Sequence, residues 1–237
     1  MKVRAVFLLC IAILFAMTPL MLPSFDGYDP QDFPVQILRP SVQPAGYAFS
    51  IWLLIYAGLI LHAGFGLLRR DTDTDWDAPR LPLAAAMICG IFWVAFAEDH
   101  PVIATVTILI MLVCALSAVM TAGRKDRWLL MAPVALFAGW VTAAAGAASG
   151  VTLAGLGWLP DTGAAVVCIL AVLAVAATVQ LRLGRVPEYG LAVIWALAGI
   201  VVANVGVNTI VAGLAMIGII AMAGVIAAAN GARLARA

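Results

Sequence analysis

The sequence predicts an all-α, polytopic transmembrane helix bundle of about eight helices, and three observations carry that expectation. The chain has 237 residues, 65% of them apolar and 11% charged. With a mean hydropathy of +1.11, it lies far outside the soluble range. Apolar runs close to the ~20 residues a spanning helix needs recur along the whole length and leave no stretch polar enough for a soluble domain. The basic residues fall almost entirely on alternate connections, as the bias of Lys and Arg toward the cytoplasm requires.

The runs read as segments at about 4–23, 46–68, 81–97, 101–122, 129–149, 162–181, 187–206 and 209–229, with boundaries set by the breaks between them. "DGYDPQDFP" follows the first, "RRDTDTDWDAPR" the second, "EDHP" the third and "GRKDR" the fourth. "GWLPDTG", "RLGRVPE" and the turn "NVGVN" separate the rest. The first segment follows Lys2 and Arg4 and resembles a signal peptide in layout. It runs long and meets Pro19 and Pro23 without a small-x-small cleavage site, so a retained helix is the expectation.

Placing the N-terminus in the cytoplasm puts twelve of the thirteen basic residues on that side: Lys2, Arg4, Arg69, Arg70, Arg80, Arg124, Lys125, Arg127, Arg182, Arg185, Arg233 and Arg236. Only Arg39 falls outside. The even number of segments then puts the C-terminus in the cytoplasm too, in what reads as a bacterial inner membrane. The acidic residues divide equally, with Asp26, Asp29, Asp32, Glu98, Asp99 and Asp161 outside. "DTDTDWD" becomes a cytoplasmic linker, read most simply as a solvated loop and not as a cation site.

A net charge of +1 argues against nucleic acid as a partner, and the lipid bilayer is the partner the composition implies. Cys10, Cys89, Cys114 and Cys168 lie singly in apolar runs without CxxC spacing and read as small core residues. No cofactor is required by any motif. The chain has no paired intramembrane carboxylates, metal-spaced histidines or nucleophile motif, so an enzyme is disfavoured and no catalytic or metal-binding residue is expected.

The long connection 24–45 enters the second segment through Pro40 and Pro44, which stiffen the chain by fixing their own φ and pushing the preceding residue toward extended conformations. In that segment Phe49, Trp52, Tyr56, Leu59 and Ala63 fall within an arc of roughly 80° at 100° per residue. Such a stripe is either an interfacial aromatic belt with helix packing or one wall of an apolar pocket capped by the loop. His62, the one ionisable residue well inside a segment, reads first as a neutral histidine bonded to a neighbouring helix and second as a ligand contact. Glu98, Asp99 and His100 read as solvated turn residues, with Glu98 and His100 as alternative polar contacts to a ligand.

"PAGYAFSIWLLIY" resembles the opening of the second helix in the TspO/translocator protein (tryptophan-rich sensory protein) family, with Pro44, Tyr47, Phe49, Trp52 and Tyr56 at the matching places. Ala45 stands where that family has a second proline, and Phe to Trp is one residue shorter. "IFWVAFAEDHP", with Trp93 and Phe96, resembles the end of the third helix. "LLMAPVALFAGWVTAAAGA", with Pro133, Phe137 and Trp140, resembles the fifth, without the asparagine expected later in it.

The resemblance covers residues 1–150 as a five-helix core and leaves 151–237 as a three-helix extension of the same membrane domain. There Trp195, Gly199, Asn204 and Asn208 are expected to pack a further hairpin against the core. It implies binding of a flat hydrophobic ligand such as a porphyrin or other tetrapyrrole, a sensory, regulatory or transport role, and a homodimer as a further partner. The implied ligand-binding residues are Pro44, Tyr47, Phe49, Trp52, Tyr56, Trp93, Phe96, Phe137 and Trp140. Two other classes stand beside it. A small-solute transporter is weakened by the absence of repeats and of charged, broken helices at mid-membrane. A structural or assembly subunit of a larger complex is favoured by small residues such as Gly146 and Gly150.

Overall fold

The computed structural model describes residues 1–21 and 27–231. Pro23, Asp26, Arg233 and Arg236, named in the sequence analysis, lie outside the described residues. The helices are α1 (Lys2–Met21), α2 (Ile51–Arg69), the single turn α3 (Thr74–Asp77), α4 (Arg80–Ala97), α5 (Pro101–Thr121), α6 (Met131–Gly155), α7 (Asp161–Leu183), α8 (Pro187–Asn204) and α9 (Thr209–Gly231). All but α3 are long and apolar enough to cross a membrane, and among the described residues there are no strands. The chain is an integral membrane protein, and this architecture satisfies the backbone inside each helix, as hydrocarbon demands.

The helices close into two rings that share one member. In the first, α1 packs on α2 and α4, α4 on α5, α5 on α6, and α6 returns to α2. In the second, α6 packs on α7 and α8, and α9 bridges those two. The shared helix has the most heavily buried spanning window of the eight, at 67%, and its composition explains how it can be surrounded. A Cβ at Gly139 would lie 2.1 Å from the carbonyl oxygen of Tyr189 on α8, and one at Gly146 would lie 2.2 Å from a methyl of Val172 on α7. Glycine at these positions lets the backbones approach.

The spanning segments expected from sequence agree with the helices to within a few residues, except that α6 continues to Gly155 instead of ending at 149. Ser149 turns its hydroxyl back to the Ala145 carbonyl at 2.7 Å, and Thr152 meets Thr105 of α5 at 2.7 Å. Their polarity is therefore satisfied inside the bundle and does not end the helix. The division at residue 150 falls within α6, the helix common to both rings.

Contacts between connections sort them into two ends. At one end lie the 27–45 loop, the α6–α7 turn and the α8–α9 turn, joined by the Val35 amide to the Gly155 carbonyl at 2.9 Å and by Asn204 Nδ2 to the Ser41 carbonyl at 2.8 Å. At the other, the basic end, Arg4 pairs with Asp77 at 2.8 Å, Arg70 with Asp126 at 2.7 Å and Arg127 with Glu188 at 2.6 Å.

The reading of 71–77 as a solvated loop is corrected here. Asp73 caps α3 by accepting from the Asp75 amide, and α3 drives Trp76 inward until 1% of it is exposed. The indole stacks on His62 at 5.0 Å and donates to Asp126 at 3.1 Å. Arg80, also 1% exposed, donates to the carbonyls of Met1, Gly66, Arg70 and Asp71 and to Asp77. A buried guanidinium is tolerable only with this many acceptors. The linker is a plug that closes the basic end of the first ring.

Candidate functional site

The aromatic stripe of the second segment turns into the first ring. Residues Gly46–Ser50 form a 3-10 turn before α2 begins, and tighter winding brings side chains three apart closer to eclipse than an α-helix would. This offsets the short spacing from Phe49 to Trp52. Both rings meet Trp140 of α6 edge to face, at 5.9 Å and 6.1 Å. Trp52 stacks on Tyr56 at 5.3 Å.

At the centre of the cluster stands Phe15 of α1, which the sequence reading did not single out. It contacts Trp52 at 5.8 Å, Tyr56 at 5.2 Å and Phe137 at 5.9 Å. Its space exists because position 90 has no side chain, since a Cβ there would lie 2.4 Å from the Phe15 ring. A signal was present in the spacing: Leu8, Ala12 and Phe15 recur at helical intervals, and all three are buried.

Two apolar cavities flank this cluster. One, of about 60 Å³, lies beneath the 27–45 loop and is walled by Tyr28, Pro44, Phe49, Trp93 and Trp140, with a floor of α6 alanines including Ala144 and Ala147 and with Ala196 and Ile200 of α8 closing one side. The other, of about 280 Å³, lies between α1, α2, α4 and α5 and is lined by Phe15, Trp52, Tyr56 and Met111, among others. Phe49 and Trp93 line both, so these two side chains form the partition. Trp140 is buried, and its Nε1 has no hydrogen-bond partner among the described residues.

Above the first cavity a more polar recess of about 390 Å³ opens between the loop and the end of α4, and Tyr28, Gln43 and Glu98 line it. Tyr28 and Gln43 border both spaces. The Tyr28 hydroxyl lies 3.4 Å from Thr105. Burial pushes its phenol pKa up, while hydrogen bonds to Thr105 and Trp93 act the other way.

The loop carrying these residues is tied to the second ring. Ser41 donates through its amide to Asp161 at 3.0 Å and through its hydroxyl to the same carboxylate, and it accepts from Asn208 Nδ2 at 3.0 Å. Trp195 Nε1 donates to the Ala48 carbonyl at 2.8 Å. Gly199 seats Pro44 and Ala48, whose Cβ atoms would be 2.8 Å and 2.9 Å from a Cβ at position 199. The four residues singled out in the extension thus pack the hairpin against the loop and the start of the second segment.

Of the expected ligand residues, Pro44, Phe49, Trp52, Tyr56, Trp93, Phe137 and Trp140 are brought together at or between the two cavities. Tyr47 is not: it is 47% exposed and meets Trp195 at 5.6 Å. Phe96 stacks on Phe92 at 6.4 Å and lines neither cavity. His62 lies at the opposite end, with Nδ1 2.9 Å from the Leu129 carbonyl just before α6. His100 is exposed at the α4–α5 turn, and Glu98 reaches only the outer recess. Tyr28, Gln43 and the α6 alanines were missed, because a loop residue and an alanine show no periodic signal until the chain folds over them.

The two rings and the aromatic-walled cavities define a polytopic helix-bundle membrane protein with an apolar internal site under an ordered loop. The model of the TSPO-like protein family matches residues 3–228. The chain belongs to that family, and the matched region includes the helices of the second ring. Among curated proteins and solved structures, none matches the chain.

Proposed function

We propose that this TSPO-like protein binds a flat hydrophobic molecule, a porphyrin or related tetrapyrrole, between the 27–45 loop and α6, and that it signals occupancy through its second ring. The observation that carries the reading is the pair of apolar cavities that share Phe49 and Trp93 as a common wall. Neither is large enough alone, but together they reach the lower end of the roughly 300–1,000 Å³ usual for small-molecule sites. Rotation of the two partition rings makes a single slot, and the surrounding indoles and phenyls offer stacking faces. Tyr28 and Gln43 sit at the way in from the outer recess.

A sensory role is favoured over transport because Ala196 and Ile200 of α8 line the inner cavity, so a ligand there presses directly on the second ring. The basic end, in contrast, is closed by Trp76 and Arg80. The test is quenching of tryptophan fluorescence by protoporphyrin in detergent. Ala147→Leu, which fills the alanine floor, is expected to weaken binding about tenfold or more, near ~1.4 kcal/mol, with thermal stability unchanged. Wild-type protein that binds no tetrapyrrole at micromolar concentration, or an Ala147→Leu variant that binds as wild type does, would refute the reading.

A further inference from the structure

A large apolar recess lies apart from this site. It is a groove of about 630 Å³ on the outside of the bundle, with α2 and α8 as its walls and α6 as its floor. The floor is made of small or flat residues, Ala132 and Pro133, and a Cβ at Gly58 on the facing wall would lie 3.3 Å from the Pro133 Cβ. Toward the loop end the walls converge, because Trp195 is hydrogen-bonded to the Ala48 carbonyl and meets Tyr47 edge to face. From that closed end at Trp195 the groove runs toward the basic end, where Trp128 and Glu188 form its mouth.

The mouth carries a particular pattern of charge. Arg127 donates to Glu188 Oε1 at 2.6 Å, and its guanidinium lies 4.3 Å over the Trp128 ring, which is 71% exposed. Glu188 Oε2 is buried and has no hydrogen-bond partner among the described residues. A carboxylate oxygen in that condition is costly until a donor reaches it. The side chain of Arg127 remains partly exposed, and Arg185 beside it is exposed. One spot thus offers cations for an anion and an unsatisfied acceptor for a cation.

We propose that this groove is a binding site for one zwitterionic phospholipid with a primary-amine headgroup. An acyl chain fills the groove between α2 and α8. The phosphate lies against Arg127 and Arg185, and the ammonium passes the exposed Trp128 ring to donate to Glu188. In a bilayer a recess of this size takes up hydrocarbon, since an empty one would forfeit the dispersion contacts of its whole lining. The mouth offers Arg127 and Arg185 to a phosphate and the open Glu188 oxygen to an amine, so a headgroup carrying both signs engages all three groups, whereas an anionic one leaves Glu188 unsatisfied.

The experiment is native mass spectrometry of the full chain in mild detergent, titrated with phosphatidylethanolamine, phosphatidylglycerol and phosphatidylcholine of identical chains. Wild type is expected to hold one phosphatidylethanolamine about fivefold or more tightly than either competitor, since only the primary amine brings both charge and N–H donors. Leu54→Trp places bulk in the groove from a position that is 62% exposed, and it should abolish the retained lipid. Glu188→Gln should bring phosphatidylethanolamine and phosphatidylglycerol to parity. Should Glu188→Gln fail to fold, the headgroup series on wild type and Leu54→Trp still decide the matter. Equal retention of the three lipids by wild type overturns the proposal, as does unchanged retention by Leu54→Trp. A Leu54→Trp variant that changes oligomeric state and not lipid content would assign the groove to a second copy of the chain.

Discussion

Trp52 and Trp140 meet edge to face across the first ring, with centroids 6.1 Å apart and planes at 84°. One comes from the start of α2 and the other from the middle of α6, so a single contact joins the loop end of α2 to the helix that both rings share. The indole of Trp140 also faces the inner cavity with its Nε1 unbonded. A ligand bound in that cavity as proposed would lie against the Trp140 ring.

Exchange of Trp140 for Phe keeps a ring in place and removes both the second ring face and the Nε1 donor. Porphyrin affinity is expected to fall about fivefold, near ~1 kcal/mol. Trp128→Phe, remote from the cavities, should leave it within about twofold. Fluorescence quenching titrations check both, and equal effects of the two substitutions would count against a pocket at Trp140.

The plug at the basic end makes a stability prediction. Trp76→Ala removes a fully buried indole that stacks on His62 and seats against Gly66, where a Cβ would lie 2.9 Å from the ring. The expected cost is about 3–5 kcal/mol, the range for large aromatic truncations in cores. Thermal unfolding in detergent measures it. A variant as stable as wild type would mean that α3 contributes nothing to closing the ring.

Acid should act on the same plug through Asp126. The Arg70 hydrogen bond holds its carboxyl below the ordinary aspartate value of 3.8, with a second bond from Trp76 acting the same way. Because the folded pKa is depressed, the contribution is fully present above the unfolded value and is lost as pH falls through the folded one. Stability should therefore be insensitive to this group from pH 5 to neutrality and decline below about 3.8. Asp126→Asn should lower the melting temperature at neutral pH and flatten the acid limb. A melting profile that falls in parallel with wild type would disprove the assignment.

Ser41 ties the loop to the second ring through Asp161 and Asn208. Ser41→Ala removes the hydroxyl that Asp161 and Asn208 share, while Asp161 keeps the Ser41 amide and Asn208 keeps the Thr162 hydroxyl, so the cost should be about 1 kcal/mol. The loosening should be local, so hydrogen exchange ought to quicken at the amides of 40–48 while α1 to α5 stay protected. Uniform acceleration across the chain would indicate a global effect instead.

Charge predicts the orientation. With cysteines introduced at Arg39 and Lys125 in a background lacking the four native ones, an impermeant maleimide applied to intact cells should label the first and spare the second. The reverse pattern would invert the assignment.

The eight spanning segments were legible because the bilayer imposes one requirement on each of them separately, a run of about 20 apolar residues with satisfied backbone. Their starts and stops at Pro101, Pro187 and the 184–186 turn are local chemistry. Phe49, Trp52, Tyr56, Trp93, Phe137 and Trp140 were legible as a set because aromatic spacing and family resemblance both reside in the chain. What the chain did not reveal was decided by neighbours distant in sequence. Trp76 looked solvated until His62, Gly66 and Asp126 surrounded it. Gly90 and Phe15 have meaning only as a pair, and so have Ser41 and Asp161, 120 residues apart. Helix α6 reads as one more apolar run, and only the closure of two rings around it makes its alanines the floor of a cavity. Burial between helices depends on which faces meet, and hydrocarbon on every side removes the polar and apolar alternation that would have announced those faces in advance.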